Sequence, residues 1–567
     1  MSLRRAPRVS LWQAALCAAL VLLSASIQAD EPGYGIATPH PLATQVGERI
    51  LADGGNAFDA AVAVSAALAV VEPYGSGMGG GGFWLLEDVV DDTAIMIDGR
   101  ERAPLAATAD MFLDADGEAD RDRALNGPLS AAIPGQPAAL VHIAENHGTR
   151  ELADLLAPAI GLAREGFVID DRYELLAGFR EDVLADWGEA GEVFLVDGRV
   201  PEPGHVIRQP ELANTLERLA RQGRSGFYDG IVAQRMVDAV QEAGGIWSRR
   251  DLRQYTIVER EPIAGEVDGL AWLAAPPPSS AGIALGQILH MLAEFDLESM
   301  APAGRIHHVV EAMRRAYHDR ARFLGDIDHV DVPVERLTDP AYAAGLAATI
   351  HPRRATPSES FPGPQAEAEG ADTTHFSVID ADGNRVAATL SLNYPFGSGF
   401  MPADTGVVLN NHMDDFTVQP GEPNAYGLVQ GEANRIAPGK RMLSSMAPTL
   451  LAHEGRLAAT GTPGGSRIIT TVLLAAMEFH RGGTVEDMVA PDRYHHQYLP
   501  DVIEYEPDGL AQDVLEELQA MGHELEAFSR TWGNSQAVIV DRDGSFSAAA
   551  DPRGVGDAAA RGRVGSR

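Results

Sequence analysis

Cysteine is almost missing from this chain. Among 567 residues only Cys17 carries a thiol. It lies inside an apolar N-terminal run, and if that run leaves as a leader, no thiol remains. Disulfides, thiolate–zinc sites and cysteine nucleophiles are then excluded. Lysine is equally scarce, with Lys440 the single example. Basic charge is outnumbered: 44 Lys and Arg face 81 Asp and Glu, for a formal net charge of −37. Such a chain does not suit nucleic acid, whose phosphates need a basic surface. The acidic residues spread along the chain rather than forming a tail. That reads as a well-solvated surface suited to salty surroundings, not as a sign of an acidic substrate. No hydrophobic stretch reaches the ~20 residues that a membrane span needs. No internal repeat is visible.

The first 29 residues have the build of a secretory signal. Arg4, Arg5 and Arg8 precede an unbroken apolar run at 14–23, and Ile27-Gln28-Ala29 ends in a small-residue cleavage site. A lipoprotein signal is excluded because Cys17 lies within the apolar run. The expectation is a periplasmic or secreted protein with a net charge of −40 after three arginines leave. One further composition break stands out. Residues 358–372, SESFPGPQAEAEGAD, are rich in Pro, Gly, Ala and Glu and are expected not to pack. The chain is therefore read as two interwoven pieces, a larger one at 30–372 and a smaller one at 373–567.

Thr373 follows that break. Thr374-His375-Phe376-Ser377-Val378-Ile379-Asp380 reads as a strand, Asp382-Gly383 as a turn, and 385–392 as a second strand. A loose segment ending at a threonine that opens a hairpin suits a chain that cuts itself between Asp372 and Thr373. The freed Thr373 would offer a hydroxyl nucleophile and an α-amine as its own base. Such an amine has a pKa of about 8, so much of it accepts a proton near neutral pH. If Asp382-Gly383 is a two-residue turn, Ser391 lies opposite Thr374, within reach of Thr373. Further on, Pro463-Gly464-Gly465-Ser466 presents consecutive backbone N–H groups without side chains in the way, as an oxyanion hole requires.

Other words follow around these: Asp53-Gly54-Gly55-Asn56-Ala57, the glycine run at 77–82, Asp98-Gly99-Arg100-Glu101-Arg102-Ala103-Pro104, Asn410-Asn411-His412-Met413-Asp414-Asp415-Phe416 and Lys440-Arg441-Met442-Leu443-Ser444-Ser445-Met446. In this order and spacing around Thr373, the sequence resembles the γ-glutamyltranspeptidase family of N-terminal-nucleophile hydrolases from about Gly35 to Gly554. The resemblance implies an α+β fold, the four-layer αββα sandwich. It also implies an enzyme that moves the γ-glutamyl group of glutathione and related amides to water, amino acids or peptides, working as a heterodimer of large and small subunits cut from one precursor. No metal or organic cofactor is implied. By the same resemblance Ser391 aligns with a threonine that helps activate the nucleophile, and Gly464 and Gly465 form the oxyanion hole. Arg100 grips the donor α-carboxylate, with Ser444 and Ser445 as further donors. Asp415 and Asn393 hold the amino end, and Tyr426 covers the pocket from a lid at 420–427. His412 stands where family members commonly carry Gln or Glu beside the donor ammonium. A neutral imidazole can accept from ammonium, whereas imidazolium would repel it.

Two readings compete within and outside the acylases. A glutaryl-cephalosporin acylase or a poly-γ-glutamate-processing enzyme would share the chemistry, but a donor without an α-amine leaves Asp415 without a task, and a lid disfavours a polymer groove. An uncut relative acting as a γ-glutamyl-binding protein would share only the pocket. Several motifs are decoys. Gly75-Ser76-Gly77-Met78-Gly79-Gly80 fits GxGxxG but precedes a strand-like run rather than a helix. There is no GxSxG elbow and no HExxH. His307-His308 opens an amphipathic helical run at 305–323, and neither it nor His495-His496 has metal-ligand spacing. Asp326, Asp328 and Asp331 fail the EF-hand pattern at its sixth and twelfth positions. Helical patterning at Ala57–Val71 and 305–323 alternates with short strands expected mainly after Thr373.

Overall fold

The computed structural model describes residues 33–361 and 373–565. Residues 1–32, which include the expected leader, and residues 362–372 with Asp372 lie outside the described residues. Thirteen strands build two main sheets. They are β1 (Tyr34–Thr38), β2 (Gly81–Asp88), β3 (Thr93–Asp98), β4 (Val258–Arg260), β5 (Ile263–Val267), β6 (Leu270–Ala274), β7 (Thr374–Ile379), β8 (Arg385–Ser391), β9 (Thr449–His453), β10 (Arg456–Gly461), β11 (Gln536–Val540), β12 (Phe546–Ala550) and β13 (Asp557–Arg561). The first sheet runs β13-β1-β7-β8-β2-β3-β4 and the second β12-β11-β10-β9-β6-β5. Both sheets mix strands from either side of the break before Thr373, so the two pieces of chain are interwoven.

Alternation along the strands sorts the side chains into layers. In β2, Phe83 and Leu85 face a core between the sheets that also holds Met96, Ala387, Leu450, Ala459 and Val538. Trp84 and Leu86 face the other way, against helices. One of these helices is α1 (Ala57–Val71), whose fifteen residues are all buried. Asn56 starts it with a capping box to Asp59. On the far side, Trp272, Leu451, Ala458 and Ile539 of the second sheet pack against α3 (Ala281–Leu292), α4 (Pro302–Phe323) and α5 (Ile468–His480), α2 (Gln136–Asn146) lying with α1 on the first sheet. The result is helix, sheet, sheet, helix: the αββα sandwich.

Strands are denser after Thr373, as expected, with seven of the thirteen in the smaller piece of the described chain. One expectation is corrected. The segment from 358 does not begin loose. Ser358–Ser360 forms a short 3₁₀ turn in which Ser358 is buried, its N–H on Asp501 at 2.7 Å and its hydroxyl held by Arg314 at 2.5 Å. The cluster at 410–416 follows an isolated bridge of Leu409 to Gly79 and forms a 3₁₀ turn at His412–Asp415.

The rejected histidine motifs are core residues. His307 and His308 are buried in α4, and His495 and His496 are buried with hydrogen-bond partners of their own. Burial pushes His496 down to about 4, with the Arg314 charge acting in the same direction.

Candidate active site

The β7–β8 hairpin sets the nucleophile end. Its loop has three residues rather than two. Asp380 donates its N–H to the Asn384 carbonyl, while its carboxylate accepts from the N–H groups of Asp382 and Asn384, both at 3.0 Å. Gly383 closes the loop at φ +90°, a conformation that favours glycine. The extra loop residue shifts the register by one. Leu390 pairs with Thr374, which brings Ser391 level with Thr373 itself. The two hydroxyl oxygens stand 3.5 Å apart. Ser391 also accepts the Asn393 N–H at 2.7 Å. Beneath the strand, Thr374 donates its hydroxyl to the buried carboxylate of Glu72 at 2.5 Å. Sequence reading passed over Glu72, because nothing in a helix-end glutamate announces a partner three hundred residues away.

Thr373 opens onto a small cavity lined by, among others, Ser391, Asn393, His412, Asp415, Tyr426, Ser444, Ser445, Gly465, Arg100 and Arg320. Every expected site residue of the described chain lies on it except Gly464, which adjoins Gly465. The loop before α5 holds both glycines at positive φ, +138° and +57°, and their N–H groups precede the helix start. The Tyr317 hydroxyl anchors this loop through the carbonyl of Ser466.

Arg100 lines the same cavity and is fully buried. Its Nη2 pairs with the Asp415 carboxylate, and its Nε reaches the Met442 carbonyl at 3.4 Å. Its Nη1 has no hydrogen-bond partner and is 3.6 Å from Glu101. Arg320 is a second guanidinium here, and sequence reading did not single it out. It is buried, donates Nε to Ser280 at 2.9 Å and Nη2 to Ser445 at 3.1 Å, and leaves Nη1 without a partner. Burial lowers Arg320 to about 10, the nearby Arg100 charge acting the same way and Asp415 opposing, so it stays cationic at neutral pH. Local pattern gives no signal for it, because every residue of α4 from His307 to Arg320 is buried and no single face marks position 320.

His412 lines the cavity but does not offer both nitrogens to a ligand. Its Nδ1 is 2.9 Å from the buried carboxylate of Glu101. The expected imidazole–ammonium contact is therefore modified: Glu101 takes one face of the ring. The lid at 420–427 is closed. Tyr426 donates its hydroxyl to the Asn393 carbonyl at 2.6 Å, and its ring lies where a Cβ on Gly465 would fall, 2.4 Å away. Asn424 reaches Asp415 at 3.3 Å, and Ala425 donates its N–H to Asp414 at 3.0 Å. Asp414 thus pins the lid, and Asp415 faces the cavity.

A threonine at the head of a strand, in an αββα sandwich with a glycine loop across a cavity, is the arrangement of an N-terminal-nucleophile hydrolase. Comparison with known proteins narrows the class. The sequence pattern of the family described as gamma-glutamyltranspeptidase matches residues 43–561, and the chain belongs to that family. The glutathione hydrolase proenzyme of Escherichia coli is 42% identical over 528 residues, covering 92% of this chain and 90% of that protein. The crystal structure of cephalosporin acylase from Bacillus halodurans superposes with a TM-score of 0.81 at 25% identity, over 93% of this chain and 96% of that one. The Helicobacter pylori γ-glutamyltranspeptidase structure gives a TM-score of 0.56 at 36% identity, over 57% of this chain and 93% of that one. The protein is an enzyme of the γ-glutamyl acyltransferase and hydrolase type.

Proposed function

We propose that this protein is made as a precursor, cuts itself between Asp372 and Thr373, and then transfers γ-glutamyl groups from glutathione and related amides. The observation that carries this reading is the pairing of Arg100 with Asp415 on the cavity that Thr373 also lines. A γ-glutamyl donor ends in an α-carboxylate and an α-ammonium. Such a zwitterion exchanges the protein ion pair for two: Arg100 turns to the carboxylate and Asp415 to the ammonium. Arg320 adds its charge behind Ser445, which with Ser444 completes the carboxylate end. Asn393 serves the amino end, and His412, held by Glu101, borders it. A donor lacking the α-amine would strand Asp415, which argues against a glutaryl acylase. The closed lid with Tyr426 argues against a polymer groove.

Turnover begins with attack of the Thr373 hydroxyl on the γ-carbonyl. The hydroxyl proton passes to the Thr373 α-amine, freed by cleavage, while Ser391 orients the oxygen. The Gly464 and Gly465 N–H groups hold the oxyanion. Collapse expels the donor amine, which takes the proton back. Water or an acceptor amine then opens the γ-glutamyl ester by the same steps in reverse. In maturation the same hydroxyl attacks the carbonyl of Asp372, and water hydrolyses the resulting ester. The large and small pieces stay together because both sheets are built from both. The leader directs the product to the periplasm or the exterior, and among the described residues no helix is long and apolar enough to cross a membrane.

The test is release of p-nitroaniline from γ-glutamyl-p-nitroanilide, with and without glycylglycine, by protein whose smaller fragment begins TTHFSVID. Faster release with glycylglycine is expected of a transferase. A single uncut chain without activity would overturn the reading and leave a γ-glutamyl-binding protein.

A further inference from the structure

Two clusters of histidine and glutamate among the described residues have metal-ligand composition, and they differ in what their atoms are already doing. In the buried one, His307 Nδ1 and His523 Nε2 are hydrogen-bonded to each other at 2.7 Å, and the Glu311 carboxylate is taken up by Arg314, Arg315 and Thr356. The facing atoms of this cluster are thus already engaged with one another or with arginines, and the one unpartnered nitrogen, His523 Nδ1, is on the side of the ring away from the His307 contact. The other lies at the sheet edge and is unlike it. His142 is on the last turns of α2, His147 caps that helix, and Glu259 is on the edge strand β4. His147 Nε2 is shielded from solvent and has no hydrogen-bond partner. We propose that His142, His147 and Glu259 form a site for a divalent transition-metal ion of the zinc type, separate from the acyl-transfer cavity.

The geometry supports three convergent ligands. One atom from each residue lies within 4.8 Å of the other two. Ligands around a four-coordinate zinc at ~2.0–2.1 Å stand about 3.4 Å apart, so closing the set needs only side-chain adjustment. On a continuous helix, residues five apart point about 140° away from each other. Here the helix ends at Asn146 and the cap turns His147 back, which brings the two imidazole centroids to 6.0 Å. Phe58 supports the His147 ring edge-on at 5.9 Å.

The ligand that must change is His142. Its Nε2 faces Glu259 at 2.7 Å and its Nδ1 faces the Asn146 amide at 3.3 Å. An ion between His142 and Glu259 takes the Nε2 lone pair and leaves the ring proton on Nδ1, from which the Asn146 amide, held by the His142 carbonyl at 2.9 Å, must draw back. Two imidazoles and one carboxylate select zinc, copper, nickel or cobalt over magnesium or calcium. Three protein ligands leave a fourth position for water. The ion would clasp the end of α2 to the open edge of the first sheet. Sequence reading had no access to it, because the third ligand lies more than a hundred residues from the first two.

Equilibrium dialysis of the untagged full-length protein against Zn²⁺ tests the site, with Mg²⁺ as competitor. The expected result is one Zn²⁺ per chain, undisturbed by Mg²⁺, and a rise in unfolding temperature on adding Zn²⁺. His147→Gln and His142→Gln should each weaken that binding at least about tenfold. The exposed Glu259→Gln, which removes no buried group, should also weaken it and should shift the visible spectrum of the Co²⁺ form. The proposal is overturned if the wild type binds no Zn²⁺ at millimolar ion. It is equally overturned if the variants, unfolding at the wild-type temperature in chelator, bind with unchanged stoichiometry and affinity.

Discussion

Two buried clusters of charge make the clearest contrast in this molecule. Around Glu311, every charged group is satisfied. Its carboxylate accepts from Arg314, from Arg315, and from both the N–H and the hydroxyl of Thr356. Arg314 goes on to Ser358 and Asp501. The donor cavity has similar burial and similar residues, yet Arg100 pairs with Asp415 and only approaches Glu101 at 3.6 Å, Arg320 donates to the hydroxyls of Ser280 and Ser445, and each arginine keeps a nitrogen without a hydrogen-bond partner. Unsatisfied buried donors cost free energy, so a fold retains them where a ligand completes them. The first cluster closes on itself and ties α4 to residues 356–358, just before the cleavage segment. The second remains open to a zwitterion. Composition does not separate them; the count of partners does.

The most drastic way to break this division is at Thr373, to which the proposed mechanism assigns both maturation and turnover. Thr373→Ala should remain one chain and show no detectable γ-glutamyl transfer, since one hydroxyl serves both reactions. Intact mass and p-nitroanilide release check it. Efficient splitting of this variant in a protease-free preparation would remove self-cleavage from the account.

A substitution in each cluster should then move opposite quantities. Glu311→Gln strips the charge that four donors face. Breaking a buried pair from one side costs about 3–5 kcal/mol, so urea unfolding should shift strongly while the donor KM of the folded fraction holds. The pH dependence has a definite sign. Burial alone would raise Glu311, but Arg314, Thr356 and Arg315 outweigh it and hold the carboxyl at about 2, below its usual 4.5. Its contribution is therefore complete above pH 4.5 and is lost as pH falls toward 2. The variant should lack that acid limb. Arg100→Lys should do the reverse: maturation and stability change little, and donor KM rises about ten- to a hundredfold, because an ammonium cannot rebuild a two-pronged carboxylate contact. Arg320→Lys, acting partly through Ser445, should raise KM less, by about five- to tenfold, for the loss of one charge-assisted hydrogen bond. If either arginine variant alters stability and leaves KM alone, the contrast between the clusters fails.

Much of this was legible in the sequence, but unevenly. The helix at Ala57–Val71, the strand after the glycine run and the hairpin at Thr373 announced themselves through local pattern and turn residues. The hairpin register did not, because a carboxylate that caps its own loop adds a residue which Asp-Gly alone does not reveal. Ser391 was identified for the wrong register, and the correct one places it closer to Thr373. Arg100, Asp415, Ser444 and Ser445 came from family resemblance, and their convergence on one cavity follows only from the fold. Arg320, Glu72 and Glu101 were missed for a common reason. Each acts through a partner distant in sequence, and neither period nor spacing carries that information.

The finest distinction lies between two adjacent carboxylates, Asp414 and Asp415. Asp415 faces the cavity, while Asp414 is fully buried and accepts the Ala425 N–H with one oxygen, the other having no partner. Burial pushes Asp414 up to about 7; the Ala425 N–H works against this and the Asp415 charge works with it. The folded state thus holds a proton that the unfolded chain releases near pH 3.8. Its contribution is complete below that value and is lost as pH rises through about 7. Asp414→Asn keeps an oxygen for Ala425 and has no proton to lose. Relative to this variant, the wild type should lose stability by at most about 1.4 kcal/mol per pH unit between pH 4 and 7, then run parallel above. Between pH 6 and 8, where the enzyme would be assayed, the difference amounts to about 1 kcal/mol. Because Asp414 holds the lid rather than the donor, donor KM at pH 6 should be the same in both proteins. Amide exchange at Ala425 checks the lid directly: it should quicken with alkaline pH more in the wild type than in the variant, after correction for intrinsic exchange. Equal acceleration in the two would mean that Asp414 does not govern the lid, and that the two aspartates differ in exposure but not in task.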